Sequence, residues 1–476
     1  MTLKLFNTLT REKEEFKPIN DGEVKFYSCG QTIYDDLHIG NARAYVTWDT
    51  LTRYLRWKGY NVRHVQNITD VGHLTDDGDQ GEDKVEKRAN EMGLEPMELV
   101  EDQIERYFED TKALNIKRQD IVPRATGHIQ EMIEYVQKII DNGYAYEADG
   151  NIYFDVEKFA EDYPYGEMAN KDLEQLKEEA ESRVEEDGKK KNQYDFALWL
   201  KATGGHLMKW SAKFEVDGEI IESTGYPGWH LECSVMGQKY LGEEFDIHAG
   251  GKDHIFPHHP NERAQCFAAT GEGQARYWLH NEFIQIDGEK MSKSEGNFYT
   301  VRELLDDYSG DAIRLHLMSS HYRSETNFSH EGLDKAEKEL QKVRRTVQRV
   351  RESDGNGFEF SDLKEKFVAE MDDDLNTARA KQVLMEAVNE INKKLDKDEA
   401  VDGSVAEQLK ELFLILGVDV EPDVSDSEGG MADLLLELRD EAREEEDWQK
   451  SDYIRDRLQS LGFEVEDSGE GSKWLK

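Results

Sequence analysis

At 476 residues the chain is long enough for about three domains, and 103 acidic against 60 basic residues leave a formal net charge of −43. Aromatics at 10% and apolar residues at 37% exclude a disordered acidic chain, and no apolar run approaches membrane-spanning length. The three cysteines exclude a disulfide framework and point to a reducing compartment.

The amino-terminal MTLKLFNTLTREKEEF lacks an apolar signal core, so a cytoplasmic protein with no membrane partner is expected. In chain order, EVKFYSC (23–29) predicts a buried strand. Residues 39–58 predict a helix, with Ala42, Tyr45, Trp48, Leu51 and Leu55 on one stripe and Gly59 at its end. NVRHVQNITD (61–70) predicts a second strand, which makes a βαβ unit whose turn carries DDLHIGNAR. Mostly helical sequence follows to about Asn142, then a strand pair over GYAYEADGNIYFDV (143–156). The charge-rich stretch 171–192 predicts an exposed helix and linker, and HLMKWSAKFEVDGEIIESTGY (206–226) has no assignable role. EFDIHAGG (244–251) and EFIQIDG (282–288) predict further core strands. Helices are predicted near 331–353, 361–371, 375–397 and 404–416. VDVEPDVSDSEGG (418–430) reads as a linker, and 431–476 as a small unit of two short helices ending in GFEVED.

Three stretches carry chemistry. His38, Ile39, Gly40 and Asn41 open the first helix, where backbone N–H groups and the helix dipole favour an anion; the plainer alternative for His38 is a helix cap. DGEKMSKSEGN (287–297) sets Lys290 and Lys293 on a glycine-flanked loop able to bring ammonium groups onto phosphate oxygens. HAGGKDHIFPHHPNERAQC (248–266) looks like a metal site with too many donors. His258 and Glu262 are spaced i, i+4 and share a helix face, whereas His259 points about 100° away. Cys266 sits about 12 Å further along the helix, too far to share an ion whose ligands lie about 2.0–2.3 Å away, and is expected to be a small core residue.

KMSKS at 290–294, with HIGN upstream in a βαβ turn, resembles the two signatures of class I aminoacyl-tRNA synthetases. LFNTLTREKEEF, YSCGQTIYDDLHIGNARAYV, DFALW, PGWHLECSVM, DIHAGGKDHIFPHHPNERAQ and KMSKSEGN resemble the successive motifs of the cysteinyl-tRNA synthetase family over about residues 5–300. Weaker similarity continues through MDDDLNTARA to DYIRDRLQSLGFEVED. The resemblance implies an α/β architecture. A Rossmann-like catalytic domain (1–330) holds a connective insertion (about 115–225) and the KMSKS loop. A helical bundle lying along the tRNA (331–420) and a small α+β anticodon-binding domain (431–476) follow.

It also implies a reaction. ATP activates L-cysteine to cysteinyl-adenylate, and the cysteinyl group passes to the 3′-terminal adenosine of tRNA(Cys), by the 2′-hydroxyl in class I. One Zn²⁺ per subunit would sit on Cys29, Cys233, His258 and Glu262 and select the substrate thiolate, and Mg²⁺ would accompany ATP. His38, Lys290 and Lys293 match catalytic positions. Gly30, Thr32, Gly40, Asn41, Thr69, Gly251, Asp253 and Lys293 match positions around ATP and the adenylate, and Thr69 and Trp229 positions around cysteine. Trp448, Arg455, Asp456, Asp467 and Trp474 match the anticodon-reading domain, and a monomer is expected.

The chain departs from the family pattern in places. Asn41 stands where the signature has its second histidine, Gln31 replaces a proline, and Pro260 replaces an acidic residue between two of the implied ligands. Proline is well tolerated in a first helical turn, so that helix is expected to begin near His258 or His259. The dispersed acidity is the pattern of a protein adapted to molar salt, as in a halophilic organism, where the Debye length falls to about 3 Å. Phosphate contacts weaken in such salt, so tRNA recognition would lean on shape and stacking. Two rivals share part of the pattern: a ligase joining cysteine to an amino sugar, and a non-catalytic zinc-binding paralogue.

Overall fold

A computed structural model describes residues 2–75, 81–175, 189–286, 288–291, 298–353, 357–421, 426–444, 447–468 and 471–475. The chain forms two compact units, one of residues 1–310, 317–329 and 370–377, the other of 311–316, 330–369 and 378–476.

The first unit opens with a hairpin of β1 (Lys4–Asn7) and β2 (Glu12–Glu15). β3 (Glu23–Thr32), α1 (Ile39–Trp57) and β4 (Asn61–Thr69) then form the expected βαβ unit. Val24, Phe26, Tyr27, Ser28 and Cys29 are all buried, as in a parallel strand covered on both faces. α2 (Lys84–Met92), α3 (Pro96–Ala113) and α4 (Ile129–Asp141) follow. β5 (Ala145–Ala148), β6 (Asn151–Phe154), β7 (Phe196–Lys201), β8 (Trp210–Val216) and β9 (Glu219–Pro227) make an antiparallel sheet in the order β5-β6-β7-β9-β8. The unassigned 206–226 segment is thus the β8–β9 hairpin. Asp217 and Gly218 at its tip, with φ of 52° and 82°, supply the paired positive angles that suit a tight hairpin turn. Of the stretch expected to be exposed helix and linker, 176–188 lie outside the described residues.

Next come α5 (Leu231–Leu241), β10 (Glu244–Gly251), α6 (His258–Thr270) and β11 (Gln274–Asn281). α6 begins at His258, with Pro260 in its first turn, as expected. The central sheet is parallel, in the order β11-β10-β3-β4. β4 lies outward of β3 on one side and β11 outward of β10 on the other, so the carboxyl ends of β3 and β10 flank a crevice suited to a ligand. EFIQIDG does supply a core strand, though outside the central sheet. Its strand, β12 (Ile284–Ile286), is buried but belongs to a separate sheet with β13 (Glu289–Lys290) and β14 (Thr326–Phe328). β11 takes the place in the central sheet; its buried polar residues Gln274, His280 and Asn281 break the apolar run that would have marked it.

Beyond residue 329 the chain is helical, with α7 (His330–Glu352), α8 (Leu363–Met371), α9 (Thr377–Leu395) and α10 (Ser404–Ile415) within two residues of expectation at each end. The expected linker is shorter than 418–430, because α11 (Asp426–Glu444) starts inside it, at the Asp-Ser-Glu run favoured by helix starts. α11 is also longer than the short helix expected. With α12 (Trp448–Ser460) and the hairpin of β15 (Glu464–Ser468) and β16 (Gly471–Leu475), it closes over Ala432, Leu436, Ile454, Leu458 and Phe463. Trp448 is 59% exposed, Arg455 pairs with Asp452 at 3.0 Å, and Asp456 is exposed. Asp467 and Trp474 fall on β15 and β16, their side chains outside the described residues. Among the described residues, no helix is long and apolar enough to cross a membrane.

Candidate active site and metal group

The crevice at the carboxyl ends of β3 and β10 deepens into a cavity of ≈ 550 Å³ lined by Cys29, Gly30, Thr32, His38, Gly40, Asn41, Thr69, Trp229, Cys233, Gly251, Asp253 and His258. Nearly all the residues singled out in the first 300 positions therefore meet in one place. His38 is the N-cap of α1: with extended backbone (φ −91°, ψ 157°), its Nδ1 accepts the Asn41 amide at 3.3 Å. The cap and the cavity wall are the same residue, so the two readings of His38 do not compete. A Cβ on Gly40 would sit 2.9 Å from the His38 ring and 3.1 Å from Met291 Cε, which only glycine avoids.

Backbone bonds stitch the HIGN turn to residues 299–301, which follow the second signature. The Ile39 amide donates to the Tyr299 carbonyl (3.1 Å) and the Val301 amide to the Leu37 carbonyl (2.8 Å), around a bridge between His38 and Thr300. Arg43, one turn into α1 and 1% exposed, adds a second tie. Its guanidinium donates to the carbonyls of Glu282, Phe283, His321 and Ser324 at 2.6–3.0 Å. Those carbonyls flank β12 and β14, which pair with each other, and β13 joins the same sheet through β12. Lys290 ends β13, whereas Lys293 lies outside the described residues.

On the cavity floor, Cys29 from β3, Cys233 from α5, and His258 and Glu262 from α6 converge, with one donor atom of each within 4.8 Å of the others. All four are buried. His258 Nε2 lies 3.0 Å from Glu262 Oε1 and 3.7 Å from Cys233 Sγ, and Cys29 Sγ lies 3.9 Å from Glu262 Oε1. Their remaining atoms are held from behind: His258 Nδ1 by His230 (2.8 Å) and Glu262 Oε2 by His248 (2.8 Å). Such outer partners are what orient metal ligands. Burial by itself would raise the Glu262 carboxyl, but His248 and His258 hold it well below the usual carboxylate range. Burial likewise opposes a charged His258, yet Glu262 and Cys233 raise it to about 10. Against burial, hydrogen bonds from Cys29 and His258 bring the Cys233 thiol to about 6, while burial and Cys233 push Cys29 up. Two thiols, an imidazole and a carboxylate form a donor set that suits a borderline-soft divalent ion.

Spacing along one helix undervalued His259. It is fully buried, its Nε2 lies 3.2 Å from Cys29 Sγ, and with Cys29, His248 and Glu262 it forms a second, overlapping group that could hold a metal. The two groups share Cys29 and Glu262, so one ion uses one or the other. Cys29, Cys233 and His258 line the cavity, whereas His248 and His259 do not. Only the first group can keep a coordination position open to a substrate. Cys266 stands apart from both groups, fully buried, its thiol raised to about 12 by burial.

The walls contain residues that the sequence did not signal. Thr69 Oγ1 donates to Glu232 Oε2 at 2.7 Å, and burial raises that carboxyl well above its usual range. Trp229 is not a core tryptophan: partly exposed, it lies 4.4 Å from the His258 ring and stacks on His73 at 3.9 Å and 10°. His73 contacts Thr32 and Lys84 in turn. On the opposite wall, Gly251 ends β10 and Asp253 follows in a single 3₁₀ turn, its carboxylate 3.8 Å from His254.

The chain matches known proteins over nearly its whole length. A family model described as the class I (C) tRNA synthetase catalytic domain matches residues 15–338, a DALR domain model matches 366–421, and a cysteinyl-tRNA ligase anticodon-binding domain model matches 429–474. The cysteine–tRNA ligase of Porphyromonas gingivalis is 42% identical over 99% of each chain, and that of Caldicellulosiruptor saccharolyticus 44% identical, also over 99% of each. Among solved structures, a Mycobacterium tuberculosis methionyl-tRNA synthetase in complex with methionyl-adenylate superposes with a TM-score of 0.56 at 17% identity, covering 87% of this chain and 94% of its own. At that identity the likeness speaks for the fold.

Proposed function

The chain belongs to the cysteine–tRNA ligase family of class I synthetases, and from that membership we propose that this cavity joins L-cysteine to ATP and hands the cysteinyl group to the 3′-terminal adenosine of tRNA(Cys). The observation that carries the reading is the buried thiol–thiol–imidazole–carboxylate group on the floor of a cavity whose rim is the amino terminus of α1.

Cysteine enters with its side chain toward the floor and its carboxylate toward the phosphate-binding rim. The carboxylate is already a nucleophile, so attack on the α-phosphorus needs no general base from the protein; positioning and charge stabilisation supply the catalysis. The helix start at His38–Asn41 offers backbone N–H groups to the phosphates, and Lys290 and Lys293 bring cationic charge to the leaving pyrophosphate. Gly251 and Asp253 take the adenosine side, Thr69 and Trp229 enclose the amino acid, and Mg²⁺ accompanies ATP. Cys29, Cys233, His258 and Glu262 would hold one Zn²⁺, which supplies a soft Lewis acid that favours a thiolate over a hydroxyl. Discrimination by shape alone would be worth only about 1–3 kcal/mol. Trp448, Arg455, Asp456, Asp467 and Trp474 are proposed to meet the anticodon, and the enzyme is proposed to act as a monomer.

Cysteine-dependent ATP–pyrophosphate exchange, run with zinc quantified in the same preparation, tests the reading. Exchange with cysteine but not serine, lost on chelation and restored by Zn²⁺, is expected. Equal exchange with serine, or full activity in metal-free protein, would sink it.

A further inference from the structure

His73, 8% exposed, follows β4 and lies flat against Trp229 in the cavity wall. Its two ring nitrogens have different neighbours: Nε2 lies 2.8 Å from Lys84 Nζ and Nδ1 lies 2.5 Å from Thr32 Oγ1. An ammonium has three donors and no acceptor, so Nε2 must present its lone pair to Lys84. The ring proton of the neutral imidazole is then on Nδ1 and is donated to Thr32 Oγ1. Once the Thr32 oxygen accepts that proton, its own hydroxyl hydrogen turns elsewhere. Thr32 is the last residue of β3 and lines the cavity beside Cys29, Gly30 and His38.

We propose that Lys84 and His73 are a positioning pair that fixes Thr32 as a hydrogen-bond donor toward an anionic oxygen of the reacting amino acid, the cysteine carboxylate or the α-phosphate it attacks. The inference rests on the activation reaction proposed above. Both of those oxygens are acceptors only, and a hydroxyl locked as donor discriminates for them, whereas a freely rotating hydroxyl would spend part of its time as acceptor. The pair also keeps a positive charge beyond His73, on Lys84, which itself reaches the cavity lining. Its geometry is held by backbone. The Lys84 amide donates to the His73 carbonyl (3.0 Å), Leu74 bridges Asp83, and the Asp83 carboxylate both takes the Gly72 amide (2.7 Å) and caps α2, the helix that begins at Lys84. The same His73 ring supports Trp229, so one residue sets both the polar and the apolar contact to the amino acid.

Three substitutions separate these roles. His73→Asn keeps a donor near the Nδ1 position, His73→Gln places its amide near Nε2, where its oxygen can meet Lys84 but Thr32 is left without a donor, and His73→Phe keeps only the stacking face. In exchange assays, H73Q and H73F are expected to lose about 10- to 100-fold in kcat/KM for cysteine, the range for a hydrogen bond to a charged group. H73N, which keeps the donor to Thr32 but gives up the ring face and the acceptor for Lys84, should lose clearly less than either. A loss confined to KM for cysteine assigns the carboxylate as acceptor, and a loss confined to kcat assigns the α-phosphate; either supports the pair. Equal losses in all three variants, or a wild-type H73F, overturns it. Nitrogen-15 NMR of the His73 ring supplies an arm that needs no turnover: an Nδ1–H tautomer is expected in wild type and a tautomer mixture in Lys84→Met. An Nε2–H tautomer in wild type would refute the pair even in an active enzyme. Inactive wild type with an Nδ1–H signal would instead count against the activation reading and leave the pair standing.

Discussion

Gly30 offers the sharpest perturbation of the floor. A Cβ built there would lie 1.6 Å from the Asn67 carbonyl oxygen on neighbouring β4, so the two strands would have to part by about 1.4 Å merely to reach 3.0 Å, the near limit of real contacts. Gly30 sits in the register shift between Ser28 and Gln31, and its amide donates to Asn67 Oδ1 at 2.8 Å. Asn67 Oδ1 is also 3.8 Å from Cys233 Sγ, and Cys29 is the preceding residue. Spreading the strands therefore moves both thiols. Metal sites tolerate deviations of about 0.2 Å in ligand distance, and designed constellations fail beyond about 0.5 Å; a shift above 1 Å is well outside both. Gly30→Ala should bind zinc at least ~100-fold more weakly and lose exchange activity in proportion, with an overpacking cost of about 1–3 kcal/mol on the central sheet. Gly204, whose added Cβ meets nothing within 4 Å, supplies the control, G204A. Zinc release titrations beside exchange assays give the readout. A G30A protein with wild-type zinc affinity and exchange within about threefold would refute the argument that strand separation governs the floor.

Replacing Arg43 by Lys, whose ammonium has three donors for four carbonyls, should leave at least one of them without a donor, costing about 1–3 kcal/mol in urea unfolding and lowering exchange, because those carbonyls brace the sheet that carries Lys290. His248→Asn, which removes the 2.8 Å support of Glu262 without touching the cavity, should weaken zinc about 10- to 100-fold, measured by competition with a chelator. Asp195 is 2% exposed and burial raises its carboxyl to about 6, although it accepts from Tyr146, Val156 and Asn192. A raised carboxyl contributes stability that is complete below about pH 4 and lost as the pH climbs through about 6, a span on the order of 3 kcal/mol. Urea midpoints of Asp195→Asn between pH 4 and 7 should lack that slope.

The α1 signature, the helix ends after residue 329 and the start of α6 were legible because each depends on local rules: apolar stripes, caps and proline in a first turn. His258 and Glu262 were legible for the same reason. His259 was not, because its value depends on how α6 lies beneath β3, which sends both faces of its first turn inward, one toward the thiols and one toward His280. The β8–β9 hairpin could have been read from Asp217-Gly218 between alternating segments, a local signal passed over. β11 hid behind its buried Gln274, His280 and Asn281, the first two of which bond to distant segments, at Cys233 and Thr8. His73 and Lys84 left no trace in spacing, since the contact that gives them meaning is made with Thr32 on another strand.

The pairing of Phe26 with Ile247 joins residues 221 positions apart. At roughly 5–20 residues per second of synthesis, the partner edge of β3 is made roughly 10–45 s after β3 itself. Cys29 therefore leaves the ribosome as a lone nascent thiol, while Cys233, His258 and Glu262 are still unmade. An ion that needs all four can be captured only when the central sheet closes, late in the life of the newborn chain. Scarcity of that ion would thus be felt at the birth of each molecule more than during its service, and chains stalled before β10 is made would expose the open edge of β3 beside the Cys29 thiol.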